Sequence, residues 1–202
     1  RYVKEHNDTK SHVEATIAKF LLASGFIVEA EKVYEFPVSF QLPGVTPVTM
    51  GRTPVWIQTG LDIKEAVDPK DEDHLQVLPH SHSAVVLDAV TQLGFRLREV
   101  SCEYAPHYGK KNGLPFVQEF EFSPSSQFRG QLDELEIMFY PDEHGVELLL
   151  QVDRRARGLS GLFAEALNAD ESFVKLRFDR SHLAAGTGYI ADQLLAAIRR
   201  HA

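Results

Sequence analysis

The sequence predicts a mainly β chain: two tandem antiparallel β-sandwich domains, residues 1–78 and 79–202, with a few short helices. Three observations carry this reading. The even positions from Phe26 to Leu42 run Phe26, Val28, Ala30, Lys32, Tyr34, Phe36, Val38, Phe40, Leu42, while the odd ones include Glu29, Glu31, Glu35, Ser39 and Gln41. Successive strand side chains point to opposite faces, so a period of two gives one largely apolar face and one wet face. Short alternating runs recur beyond Phe95, separated by turn residues at hairpin spacing. Between these regions Pro79 and the hydroxyl-rich His80–Ser83 stretch change the texture of the chain, which places a boundary there. With 202 residues the chain is long enough to bury a sizeable core.

In chain order, Tyr2-Val3 reads as the end of a strand and Glu5–Ser11, with Asn7-Asp8, as a turn. A strand is expected over Val13–Leu22, a hairpin turn at Ser24-Gly25, and the long strand Phe26–Leu42 after it. Leu42-Pro43-Gly44 and Pro47 break the pattern, because proline cannot donate to a ladder and glycine frees the turn. It resumes over Val55–Ile63. Ala66–Asp73 is strongly polar and reads as a loop, and Leu75–Leu78 is a short apolar run stopped by Pro79.

Val86, Val90 and Leu93 then fall at helical spacing, with Ser83 as the expected cap and Gly94 just past the end, predicting a helix near 84–93. Phe95 and Leu97 alternate with Arg96 and Arg98. Val100, Cys102 and Tyr104 continue in the opposite phase, so a bulge is expected at Glu99. Pro106–Pro115 reads as a long exposed hairpin loop. Strands follow over Phe116–Phe122, Glu134–Phe139, Val146–Val152 and Val174–Phe178, with a turn at Asp142–Gly145 and a short helix over Ser160–Leu167. A terminal helix near 188–200, capped by Thr187, aligns Ile190, Leu194 and Ile198 on one face. Arg199 and Arg200 lie in its last turn, where cations complement the helix dipole.

Composition excludes several classes of function. The net charge of −8 is spread along the chain, and no cluster of Lys and Arg is large enough for a nucleic-acid footprint. No apolar run approaches the roughly 20 residues that span a bilayer. A single cysteine, Cys102, rules out an internal disulfide framework and any all-cysteine metal site, and a reducing cytoplasm is the simplest location. The chain opens at Arg1-Tyr2-Val3 without a methionine or a signal-peptide pattern.

Several blocks of sequence resemble the bacterial sporulation-control protein family, the stage-zero regulator M group: VYEFPVSFQLP (33–43), VWIQTGLDIKEAVDPKDEDHLQV (55–77), LGFRLREVSCEY (93–104), FVQEFEF (116–122) and LDELEIMFYPDEHGVELLLQVDRRARGLSGL (132–162). The resemblance covers nearly the whole chain. It implies an arrestin-like fold of two tandem sandwiches, further strands upstream of Arg1, and a non-enzymatic regulatory adaptor that binds protein partners. Self-association into a homo-oligomer is one form of such partnership. It supplies no catalytic residue, cofactor or resident metal.

Read on their own, four constellations invite chemistry. His80-Ser81-His82 puts two imidazoles on one side of an extended backbone near His74, and two histidines with a carboxylate can hold zinc or iron. No carboxylate follows at cupin-like spacing, so a linker or helix lead-in is the competing reading. A metal-dependent enzyme built on His80 and His82 stands as the alternative function. Asp68, Asp71, Glu72 and Asp73 form a carboxylate cluster without the glycine and distant glutamate of a calcium loop, and read as a solvated loop. Cys102 sits mid-strand among apolar neighbours and reads as a core residue rather than a nucleophile. Asp153-Arg154-Arg155-Ala156-Arg157 is a basic patch. Its arginines are expected to pair with carboxylates of neighbouring strands, with Asp153 as a candidate conformational lock. Trp56, in the out-of-phase set of its strand, leaves a small-ligand-binding sandwich open as a further alternative.

Overall fold

The structure is a computed structural model of the chain. It describes residues 1–7, 9–61, 67, 70–125, 127–153 and 173–201, the side chain of Asp153 excepted. The strands are β1 (Tyr2–His6), β2 (Thr9–Val13), β3 (Trp56–Gly60), β4 (Lys70–His74), β5 (Phe95–Tyr104), β6 (Phe116–Pro124), β7 (Glu134–Asp142), β8 (Gly145–Asp153) and β9 (Val174–Asp179). The helices are α1 (Ser81–Gln92), α2 (Pro106–Gly109), α3 (Arg180–Ala184) and α4 (Thr187–His201).

Seven strands form one mixed sheet in the order β2-β1-β5-β6-β7-β8-β9, and β3 and β4 form a separate hairpin. The chain is therefore mainly β, with one large sheet, one small one and a few helices. All pairings in the large sheet are antiparallel except a single parallel contact, Val3 with Glu103, which joins β1 to β5.

One face of the large sheet carries the main core. Phe120, Phe122, Leu135, Ile137, Val146, Leu148, Leu150 and Phe178 point toward the helices. There they meet Val86, Ala89 and Val90 of α1 and Ile190, Ala191, Leu194 and Ile198 of α4. The helical spacing of Ile190, Leu194 and Ile198 forms the stripe expected from the sequence, and all three are fully buried.

Several local expectations hold. Leu97 pairs with Phe122 and Glu99 with Glu121, so one extra residue, Arg98, sits in β5 where the phase slips. Gly94 takes φ +83 just past Leu93, the residue that caps the end of α1, the left-handed conformation that glycine allows there.

Other expectations are corrected. His80, not Ser83, caps α1: its Nδ1 accepts from the His82 amide at 3.2 Å, and Ser83 is buried inside the first turn. The 106–115 stretch is partly helical, made of α2 and a 3-10 turn over Lys110–Asn112. α3 was not read from the sequence, although Asp179 and His182 form its capping box. β4 replaces part of the expected 66–73 loop. Trp56 pairs with His74, Gln58 with Glu72 and Thr59 with Asp71. A ladder needs only backbone groups, and β4 is exposed throughout, so its side chains show no hydrophobic alternation.

The largest correction concerns residues 13–42. Val13 ends β2, and no strand is assigned over residues 14–42. The reversal lies at Ala30-Glu31, with Glu31 at φ +61, rather than at Ser24-Gly25. Rings meet across it: Phe20 with Phe40 at 4.9 Å, Phe26 with Tyr34 at 5.2 Å and with Phe36 at 5.4 Å. The Tyr34 hydroxyl donates to the Ile27 carbonyl and accepts from the Glu29 amide. Alternation sets side-chain preference, but a strand exists only where its backbone finds a ladder partner.

The helix expected over Ser160–Leu167, and Asp68, Arg154, Arg155 and Arg157, lie outside the described residues. No helix among the described residues is long and apolar enough to cross a membrane.

Candidate functional site

Three places on the molecule combine exposure, polarity or buried charge in ways that core packing alone does not require.

The first is the open hairpin of residues 20–42. Leu21, Ile27 and Val33 are 88, 85 and 83 % exposed, and Phe20, Phe26, Val28, Phe36, Val38 and Phe40 are also exposed. These side chains form an apolar surface that no described element covers. Its backbone carries no ladder bonds, so it retains the capacity to pair with another strand.

The second is a cleft beside the linker. The Gln118 side chain grips the backbone of Val48 at both ends: Val48 N–H donates to its Oε1 at 2.9 Å, and its Nε2 donates to the Val48 carbonyl at 2.8 Å. Thr49 and Val77 exchange backbone and hydroxyl bonds of 2.9 Å. Gly51, at φ +62, passes so close to β5 that an added Cβ would lie 2.7 Å from the Val100 carbonyl oxygen. Together these contacts pin residues 48–53 onto the large sheet. The cleft they border has a volume of about 340 Å³ and is lined in part by Leu42, Pro43, His80, Ser83, Gln118 and Phe139. Gln118→Ala is expected to cost about 1–3 kcal/mol by orphaning both Val48 groups. Proteolysis would then cut first within 43–53, and cleavage no faster than in the parent chain would contradict this anchoring.

His80 lines the cleft, and the His82 ring lies with its centroid 4.6 Å from that of His80. His82 Nδ1–H donates to the Asp142 and Gly145 carbonyl oxygens, each at 3.0 Å. Two carbonyl acceptors require that nitrogen to carry the proton. Partial burial, then the nearby His82, lower the His80 pKa. Among the described residues, no third histidine, cysteine or carboxylate joins this pair within metal-holding distance. Trp56 is engaged as well, with the Arg1 guanidinium 5.3 Å above its ring.

The third place is the sheet face opposite α1 and α4. Val117, Met138 and Tyr140 form a small apolar cluster there, and beside it lie Glu119, Glu134, Glu136 and Gln151, all buried. Arg98 ion-pairs with Glu121 and, at 2.8 Å, with Glu134. Burial, and then the proximity of Glu136, push the Glu119 carboxyl far above the usual range. Burial also raises Glu136. The signal was present in FVQEFEF and ELEIMF, where glutamates share a phase on adjacent strands. Alternation assigns them to the face opposite the phenylalanines, but it does not say whether that face is wet.

Cys102 is buried, as expected, and desolvation pushes its thiol up to about 12. Thiol reagents at pH 8 are expected to modify it only at the rate of unfolding. Rapid labelling of the native chain would contradict its core placement. Asp71, Glu72 and Asp73 are exposed on β4, and Glu72 accepts from Gln58 Nε2 at 3.1 Å.

The fold and the blocks of sequence agree with known proteins. The Spo0M family model, described as SpoOM protein, matches residues 1–156. This chain belongs to the Spo0M family. The sporulation-control protein spo0M of Bacillus subtilis (strain 168) is 44% identical over 184 residues, covering 91% of this chain and 70% of that protein. The crystal structure of Spo0M, sporulation control protein, from Bacillus subtilis superposes with a TM-score of 0.92 at 41% identity. That match spans 100% of this chain and 82% of the crystallised one. The match to the solved Spo0M structure agrees with a mainly β chain of one large mixed sheet, one small hairpin and a few helices.

Proposed function

We propose that this Spo0M-family chain is a non-enzymatic regulatory adaptor, acting in the cytoplasm, that binds protein partners through an arrestin-like arrangement of a unit over 1–78 and a unit over 79–202. The observation that carries this reading is the open hairpin of residues 20–42, where large apolar side chains and an unpaired backbone face solvent together. Strand addition is the mode such an element supports: main-chain bonds give affinity, and alternate side chains give selectivity.

The test places a photo-crosslinking amino acid at Val33, a fully displayed position, and irradiates the chain in native lysate. One protein captured reproducibly, competed by untagged chain and lost when Ile27, Val28 and Val38 are replaced by Ser, supports the reading. Capture that survives those replacements contradicts it.

A second reading, a small-ligand-binding site, rests on the cleft beside His80. Its volume lies at the lower end of the range for small-molecule pockets, and a few polar groups converge on an apolar lining. The metal-enzyme alternative would need a third ligand for His80 and His82 from outside the described residues.

A further inference from the structure

The buried acidic face of the large sheet is built as a site rather than as a layer of core. We propose that Glu119, Glu121 and Glu136, joined by the side-chain carbonyl of Gln151, bind a hard divalent cation of calcium size. One ligand oxygen from each glutamate lies within 4.8 Å of the other two. Calcium accepts irregular sets of oxygen ligands, which suits side chains whose positions are fixed by strand register, whereas magnesium demands near-ideal octahedral geometry and gives up its waters reluctantly.

The strand register explains the convergence. Glu121 pairs with Glu136 across β6 and β7, and Glu136 pairs with Gln151 across β7 and β8. These three side chains therefore form one cross-strand row on the same face, with neighbouring Cβ atoms about 5 Å apart. Glu119 lies two residues along β6 from Glu121 and so shares that face.

An independent observation points to a ligand. With the glutamates read as carboxylates, Glu119 Oε1, both Glu136 carboxyl oxygens and Gln151 Oε1 are buried and accept from no donor among the described residues. Glu119 and Glu136 thus have only one another and the Glu134 carboxyl as hydrogen-bond partners. Glu119, Glu136 and Gln151 are 1, 2 and 5 % exposed. Buried polar oxygens are ordinarily satisfied, and leaving several orphaned at one point carries a desolvation cost that a cation removes. Gln151 is not part of the acidic cluster, yet it adds a neutral oxygen donor beside it. Arg98 meets Glu121 through Oε2 and Glu134 from the rim, which leaves Glu119 and Glu136 uncompensated by any described cation. An all-oxygen donor set selects hard cations over zinc or copper.

The test uses the whole chain, stripped with chelator and desalted, and titrates it with calcium chloride, manganese chloride or magnesium chloride at pH 7.5. The readouts are calorimetry and thermal unfolding. The expected result is one calcium per chain with a saturable rise in Tm, and magnesium at least 10-fold weaker. Glu119→Gln and Glu136→Gln should each weaken calcium at least 10-fold while keeping the circular dichroism of the parent, and Glu143→Gln, on the exposed hairpin turn, should leave it unchanged. Absence of heat and of any Tm shift at millimolar calcium would overturn the proposal. So would calcium affinity unchanged in the Glu119→Gln, Glu136→Gln double variant, because the ion would then sit elsewhere.

Discussion

A chain ending at Gly186 is expected to lose its fold altogether. α4 buries Ile190, Leu194 and Ile198 completely, and Ala191 and Ala197 nearly so. Burying three such aliphatic side chains contributes roughly 5–9 kcal/mol. A whole domain is held by only about 5–15 kcal/mol, so losing α4 removes most of that margin. The loss would not stop there. α4 packs against α1, and its removal would expose Val86 and Val90 together with the sheet face beneath them. Thermal unfolding followed by circular dichroism should show no cooperative transition in the truncated chain. In the full chain, Leu194→Ala gives a graded version, costing about 2–5 kcal/mol, or roughly 5–15 °C in Tm. A truncated chain that unfolded as cooperatively as the parent would show that α4 is not a core element. It would instead become a candidate for partner recognition.

The second large effect concerns pH. In the absence of metal, stability should fall by about 1–3 kcal/mol as pH rises from 6 to 8.5. Burial raises Glu119 and Glu136 in the folded chain, and Glu121, Glu103 and Glu134 on adjacent strands add to the effect. Unfolded, each glutamate titrates near 4.3. Above that pH the folded chain holds more protons than the unfolded chain, so ΔG of unfolding decreases as pH rises through the folded pKa values. The stabilising share is fully present below about pH 4.3 and is lost at alkaline pH. Arg177 beside Asp142 and Ser181 beside Asp179 lower those two exposed carboxyls instead, which places their influence at acidic pH. Glu119→Gln removes one buried ionisable group and leaves a donor for Glu136. It should flatten the alkaline slope and raise stability at pH 8.5. Urea unfolding in chelator at four pH values measures this, and a variant as steep as the parent would contradict the assignment.

How much of this could be read from residues alone depended on what each pattern encodes. The alternations in 116–122 and 146–152 placed β6 and β8 because one face of each is a continuous apolar row that must be buried. The three-residue stripe of α4 was equally direct. β3 was legible in the alternation over Val55–Ile63, whereas β4 was obscured because its pairing is carried by backbone bonds and its side chains are all exposed. The 20–42 segment went the other way: strong alternation was present, yet no neighbouring strand meets its backbone. The reversal at Ala30-Glu31 carries no glycine or proline to mark it. The acidic face was half legible. Glu119, Glu121, Glu134 and Glu136 were visible as a set in phase, but their burial depends on what covers the sheet, which no local pattern records.

The adaptor reading rests on residues 20–42 being open for pairing while the central strands of the large sheet are paired on both sides. Native-state hydrogen exchange of the intact chain tests this directly. Amides of β6, β7 and β8 should exchange only through global unfolding, whereas those of residues 20–42 should exchange with little protection. The captured partner should then slow exchange in 20–42 in an alternating pattern along the chain. Protection of 20–42 in the free chain equal to that of β7 would contradict the account, because the hairpin would already be paired.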